Sequence, residues 1–268
     1  MPRAVCCVGD RPRPWTGHDA HMTIAAVLTA AGSGSRLGHE LPKAVVPVAG
    51  APLVVHAARA LLTARAGDGT GVAQLVVTAP AERLDEIAAL LGAVVDEAAG
   101  DVRLDVVGGG RTRQESVAAG LAELGDDVDV VLVHDAARPF APPELVARVV
   151  DAVRAGHAAV VPGLPVVDTV KRVGGGDASG RPVLQTVPRA DLVAVQTPQG
   201  FDRDVLERAH AVGSGRGSSE ATAASDDAGL VEATGVPVWV VPGDERAAKV
   251  TTARDLLVAQ ALTTGGAA

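Results

Sequence analysis

Tyrosine is missing from these 268 residues, and the other aromatics amount to Trp15, Trp239, Phe140 and Phe201. Proteins that bind single-stranded nucleic acid stack bases on aromatic side chains, and this chain cannot assemble such a platform. Its charge points the same way. Lys and Arg number 24 against 32 Asp and Glu, a net −8, which disfavours a polyanionic partner. Cysteine is confined to the adjacent Cys6 and Cys7, which cannot staple distant parts of a fold and suggest neither a disulfide framework nor a metal cluster. No run approaches the ~20 apolar residues of a membrane span, and residues 1–22 lack the apolar stretch of a signal peptide. The expectation is a cytoplasmic protein with no nucleic-acid or membrane partner. Residues 1–22 are expected to be a disordered extension, or an upstream start with Met22 as the true initiator.

What is present is an apolar fraction of 47%, enough for one large domain with a sizeable core. From residue 23 onward short β-branched runs alternate with Ala/Leu-rich stretches. Strands are expected over 24–29, 74–78, 103–107, 128–134, 158–161, 194–197 and 236–241. Helices are expected over 52–64, 81–91, 111–124, 142–155, 202–212, 226–233 and 252–262. This alternation implies an α/β fold, a mostly parallel twisted sheet with helices on both faces. Ligands in such sheets bind beyond the carboxyl ends of the strands. The expected domain is 23–262, with 263–268 a tail. Residues 213–225 read as a Gly/Ser-rich loop. Residues 165–192 read as two extended arms around a Gly-rich turn, a β-hairpin insertion. A lone two-stranded hairpin is marginal in water, so this arm is expected to cross to a second subunit of a homodimer.

The stretch TIAAVLTAAGSGSRLGHELPKA runs from a strand into a loop carrying Gly32, Gly34, Arg36 and Lys43. Three phosphate-binding mechanisms compete for it. A Walker loop needs Lys directly after its last glycine, where this chain has His39. A dinucleotide fingerprint needs a third glycine where Leu37 stands, and an acid about 20 residues on. A nucleotidyltransferase loop needs glycines whose N–H groups crowd onto a triphosphate, plus cations where pyrophosphate gains charge as it leaves. Arg36 and Lys43 supply both cations. A plain glycine turn with surface cations is the alternative. Lysine is otherwise scarce: Lys43, Lys171 and Lys249 are the only three, consistent with use on phosphate.

Seven segments occur in a particular order: TAAGSGSRLGHELPKA, GGGRTRQESVAAGL, VLVHDAARPF, DTVKR, VQTPQGF, SDDAGLVE and AAKVTTARDL. Together they resemble the 2-C-methyl-D-erythritol 4-phosphate cytidylyltransferases of the non-mevalonate isoprenoid pathway, over roughly residues 23–262. The resemblance implies a Rossmann-like nucleotidyltransferase fold and transfer of CMP from CTP to methylerythritol phosphate, with Mg²⁺ bound alongside CTP. It implies that Arg36, Lys43 and Lys249 stabilise the reacting phosphorus and the leaving pyrophosphate. Ala30, Ala31, Gly110 and Ser116 would hold the cytosine edge beside Gly32 and Gly34 of the phosphate loop. Asp135 and Ala136 would face the ribose and the metal–phosphate region, with any protein contribution to Mg²⁺ near Asp135. Arg138, Thr197, Ser225 and Lys249 would bind the polyol phosphate. Thr169 and Arg189, on the arm, would reach it in the neighbouring subunit. Arg111 departs from the acidic residue common in relatives, and Ser225 from their threonine.

Two other readings stay open on the residues alone. One is a cytidylyltransferase acting on ribitol 5-phosphate; the other is a non-catalytic nucleotide-binding regulatory module. His134 is expected to be packed or hydrogen-bonded rather than catalytic. Asp226–Asp227 is expected to be an acid cluster at a helix N-terminus.

Overall fold

The computed structural model describes residues 22–32, 42–98, 100–216 and 224–264. Its strands are β1 (Thr23–Thr29), β2 (Pro47–Val48), β3 (Ala51–Pro52), β4 (Val72–Ala79), β5 (Arg103–Gly108), β6 (Val128–Asp135), β7 (Ala159–Pro165), β8 (Val170–Val173), β9 (Val183–Val187), β10 (Val193–Val195), β11 (Gln199–Asp202) and β12 (Trp239–Pro242). Its α-helices are α1 (Leu53–Thr63), α2 (Leu84–Asp96), α3 (Arg113–Leu121), α4 (Pro143–Arg154), α5 (Arg203–Gly213), α6 (Asp227–Glu232) and α7 (Ala253–Thr264).

Eight strands form one sheet in the order β10-β7-β11-β6-β1-β4-β5, with β12 also paired to β7. β1 lies between β4 and β6, parallel to both. Such a strand is covered on both faces and can be apolar throughout; Ile24 to Leu28 are accordingly buried without alternation. One face carries α1, α2 and α4 over a core that includes Leu28, Leu61, Leu75, Leu91 and Val149. The other carries α3, α5 and α6 over Val27, Val117, Val131, Phe201 and Leu206. α7 packs apart from both, with Ala259 joining Val48, Leu53 and Val250.

The sheet is largely parallel, as expected, and mixed toward one side. β11 is antiparallel to both β6 and β7, and β10 is antiparallel to β7. β11 has no counterpart among the expected strands because Gln-Gly-Phe-Asp carries little β propensity. Its pairing is set by the two strands that flank it, where tertiary context overrides local preference. The helix expected from 202 does begin there, with Asp202 as its N-cap, accepting from the Val205 amide at 3.0 Å. The helix expected over 111–124 is shorter, because Thr112 caps α3 by accepting the Glu115 amide at 3.1 Å.

β8 and β9 form the expected hairpin as a separate two-stranded sheet. Neither of its faces is buried within this chain, and Leu184 is 64% exposed. Among the described residues, no helix is long and apolar enough to cross a membrane.

Candidate active site

Strand register places the polar residues. Thr29, the last residue of β1, pairs with Thr78 of β4 and with Asp135 of β6. Three parallel strands therefore end together, and the loops that follow them leave one edge of the sheet. β5 adds Gly108 opposite Ala79. The loop after β5 is tied to the end of β4, where Gly109 donates its N–H to the Ala79 carbonyl at 2.8 Å, and lies against the loop after β1. A Cβ on Gly109 would collide with the Ala31 Cβ, and one on Gly110 with Glu115. Only glycine lets these loops meet so closely; the backbone edge they form beside the strand ends is the candidate nucleotide cleft.

Asp135 is the hub of the site. Its Oδ2 accepts from Lys249 Nζ at 2.6 Å, and its Oδ1 from Arg113 Nε at 3.0 Å. The Thr29 hydroxyl donates to the same Oδ1 at 3.3 Å. Burial alone would raise this carboxyl, but Arg113 and Lys249 outweigh it and hold it far below the usual carboxylate range. The side chain is therefore always an anion in this setting.

The backbone under Asp135 is fixed as well. Its amide donates to Thr197 Oγ1 at 3.1 Å, and Thr197 Oγ1 lies 2.9 Å from His134 Nδ1. His134 Nε2 faces the Arg138 carbonyl at 3.2 Å. A carbonyl cannot donate, so Nε2 carries the proton and Nδ1 accepts from the Thr197 hydroxyl. Burial pushes the His134 imidazole down to about 4, so it is neutral at pH 7. His134 is packed and hydrogen-bonded, as expected. Arg138 spans the site, donating from Nη1 to the Ala247 carbonyl at 2.7 Å and from Nη2 to the Val195 carbonyl at 3.3 Å. It ties the end of β6 to the segment carrying Lys249.

The remaining expected residues divide by location. Ser116 is buried; its hydroxyl accepts the Gly110 amide at 3.1 Å and donates to the Thr112 carbonyl at 2.9 Å, so it shapes the glycine loop. The Ala30 and Ala136 amides are spent on Thr78 and Thr29 carbonyls. Ala31 and Gly32 open the loop after β1, and a Cβ on Gly32 would meet nothing within 4 Å among the described residues. Lys43 begins a single 3-10 turn whose Ala44 and Val45 are buried, which fixes its backbone. Gly34 and Arg36 lie outside the described residues. Ser225 is exposed just ahead of α6. Thr169 and Arg189 are exposed on the arm, where Arg189 donates to the Val167 carbonyl and makes no hydrogen bond to the Asp135 cluster in this chain.

Sequence reasoning missed Arg113 and the use of Asp227. Asp226, expected with Asp227 in an acid cluster at a helix N-terminus, caps α6 by accepting the Gly229 amide at 3.0 Å. Asp227 instead turns inward to Arg113 and His210, at 2.7 and 2.9 Å. The segments RTRQES and SDDAG were visible, but nothing in either announces that they meet. Arg111, expected to depart from the acidic residue of relatives, pairs with Glu115 at the surface.

An α/β sheet with an anionic hub, cations and a glycine cleft at its carboxyl edge defines a nucleotide-handling enzyme of the doubly wound class. The profile of the 2-C-methyl-D-erythritol 4-phosphate cytidylyltransferases matches residues 24–264, and the chain belongs to that family. It is 49% identical to the 2-C-methyl-D-erythritol 4-phosphate cytidylyltransferase of Frankia casuarinae, over 91% of this chain and 82% of the relative. Among solved structures it is similar to the 2-C-methyl-D-erythritol 4-phosphate cytidylyltransferase of Thermus thermophilus, at 34% identity and a TM-score of 0.68 over 91% of this chain and all of that one. It is also similar to the 4-diphosphocytidyl-2C-methyl-D-erythritol synthase of Anaerococcus prevotii, at 28% identity and a TM-score of 0.73, over 91% and 96% of the two chains.

Proposed function

We propose that the chain transfers the cytidylyl group of CTP to 2-C-methyl-D-erythritol 4-phosphate, giving the CDP-alcohol and pyrophosphate in isoprenoid precursor synthesis. Family membership carries the reaction and its acceptor and displaces the ribitol 5-phosphate and regulatory readings. The observation that carries the placement of the site is the meeting of Lys249 and Asp135 at 2.6 Å beside the glycine cleft.

In the reaction, a phosphate oxygen of the acceptor forms a bond to the α-phosphorus as the bond to the β-phosphate oxygen breaks. The attacking oxygen is already anionic, so no general base is needed. The chain's work is positioning and charge neutralisation. Gly32, Gly34, Gly109 and Gly110 line the nucleotide's path, with Ala30, Ala31 and Ser116 at the base. Arg36 and Lys43 neutralise the departing pyrophosphate. Asp135 and Ala136 face the ribose. Arg138, Thr197, Ser225 and Lys249 receive the polyol phosphate. Lys249, which is 41% exposed on its side chain, can leave Asp135 for a phosphate when one arrives.

The residues fit Mg²⁺. No group of three His, Cys, Asp or Glu ligands exists among the described residues, but magnesium characteristically binds one or two carboxylates together with substrate phosphates. Asp135, kept ionised, would hold it. When bound, the ion offsets charge on the nucleotide phosphates.

The arm supports a dimer in which Thr169 and Arg189 reach the partner's acceptor phosphate. It carries apolar Val183 and Leu184, 57% and 64% exposed, on a hairpin that its own domain leaves uncovered. The test of the function is pyrophosphate release with methylerythritol phosphate across the four nucleoside triphosphates. Release with CTP about tenfold or more above the others is expected. Equal rates, or release only with ribitol 5-phosphate, would overturn the reading.

A further inference from the structure

A charged cluster lies behind the site. Arg113 sits on the first turn of α3 and reaches two carboxylates at once. Its Nε donates to Asp135 Oδ1 at 3.0 Å and its Nη1 to Asp227 Oδ2 at 2.7 Å. The other oxygen of Asp227 meets His210 Nε2 at 2.9 Å. The Asp227 side chain is 1% exposed and that of His210 6%, whereas Arg113 keeps 24%, on the fringe of the cleft. Residues of α3, α5 and α6 thus converge on the carboxylate that ends β6.

We propose that Arg113 is a positioning residue for cytidylyl transfer: pinned by Asp227 and His210, it holds Asp135 through Oδ1, so that Lys249 can leave Oδ2 for a phosphate without the carboxylate swinging away. Three features point to this role rather than to an ordinary structural ion pair. The two cations divide the carboxylate, one oxygen each, so either can move while the other holds. Arg113 is anchored at both ends, and a guanidinium fork can bridge two carboxylates in fixed geometry where an ammonium cannot. Finally, Arg113 Nη2 and His210 Nδ1 are buried without a hydrogen-bond partner among the described residues. Unpaired buried polar atoms are costly and rare, and local violations of this kind concentrate at functional sites. Gln114, next in α3, ties that helix to α5 through the Gly213 carbonyl at 3.0 Å, so Arg113 starts from a fixed backbone.

The inference rests on the cytidylyl-transfer reading, and its test separates the two. Wild type, Arg113→Ala, Arg113→Lys, Asp227→Asn and the double variant Arg113→Ala/Asp227→Asn are compared for kcat, for KM of both substrates and for thermal midpoint. Arg113→Ala is expected to lower kcat on the order of 100-fold while its KM for CTP moves less than about threefold, since uniform binding is not what is lost. Asp227→Asn is expected to lower kcat about tenfold and to add nothing further in the double variant, because it acts through Arg113. Millimolar guanidinium should restore part of the turnover of Arg113→Ala but none of that of Asp227→Asn. If Arg113→Ala does not fold, Arg113→Lys decides the question: its ammonium reaches one carboxylate, and an about tenfold fall in kcat is expected. Wild-type turnover in folded Arg113 variants, additive losses in the double variant, or a lowered melting point with unchanged kcat would each overturn the role. An inactive wild type would overturn the cytidylyl-transfer reading and this inference with it.

Discussion

Lys249 and Asp135 stand 114 residues apart in the chain, and their side chains meet at 2.6 Å beyond the end of β6. The pair joins the last cation before α7 to the strand beside β1 in the sheet. In the proposed reaction it would keep an ammonium where phosphate charge must be met. Replacing Lys249 by Ala removes that charge, and kcat is expected to fall by roughly 10²- to 10³-fold, as with other lost electrostatic stabilisers. Lys43→Ala is expected to lower kcat by about 10²-fold or more, about 3 kcal/mol. Steady-state rates with saturating CTP check both.

The glycine cleft makes a separate, steric prediction. A Cβ at position 109 has no room, since Ala31 Cβ and the Ser116 hydroxyl occupy the space. Gly109→Ala must push the two loops apart at a cost of about 1–3 kcal/mol. The loss is expected to fall on nucleotide affinity, with KM for CTP rising about tenfold or more and KM for the acceptor changing little. Isothermal titration of CTP onto the variant measures it directly.

α7 follows the Lys249 segment and begins with a capping box. Thr252 Oγ1 accepts the Asp255 amide at 3.2 Å, and Asp255 Oδ2 accepts the Thr252 amide at 2.8 Å. The Thr251 hydroxyl and amide, with the Thr252 amide, hold the Asp255 carboxyl down to about 2, against an ordinary 3.8. A carboxyl lowered in the folded state stabilises fully above its unfolded value and loses that contribution as pH falls toward 2. Asp255→Asn is therefore expected to cost about 1 kcal/mol at pH 7, a typical cap, and progressively less as the pH falls through about 2, where the folded carboxyl is half protonated. Urea titrations of both proteins at about pH 7, 4 and 2 test the convergence.

For the arm, the expected species in solution is a dimer. Arg189→Ala should raise KM for methylerythritol phosphate more than KM for CTP. Mixed dimers of an Arg189 variant with a Lys43 variant should recover part of the activity, because one site then has every residue intact. Absence of recovery in verified mixed dimers would contradict a shared site.

Much of the molecule was legible in its sequence because the signals are local. β1 announces itself as an unbroken apolar run, and Asp226–Asp227 as acids at the start of a helix. The arm was legible for the opposite reason: its residues fit no buried element. The Arg113–Asp227–His210 chain was not legible. It joins three helices whose register is set by packing against the sheet, and no spacing along the chain encodes it. β11 was hidden likewise, since Gln199 and Gly200 become strand only because β6 and β7 lie on either side. The Ser116 hydroxyl braces the Gly110 amide, a contact that no spacing in the sequence announces.

The most direct test of the central claim, that two loop cations and Lys249 meet the phosphates beside the glycine cleft, is a crystal structure with CTP and Mg²⁺ bound. The cytosine is expected against Gly110, and the triphosphate against the loop after β1 within reach of Lys43. Lys249 should have turned from Asp135 toward the phosphates or the acceptor's place. A triphosphate lying elsewhere on the surface, with Lys249 still locked on Asp135 and Lys43 in solvent, would contradict it.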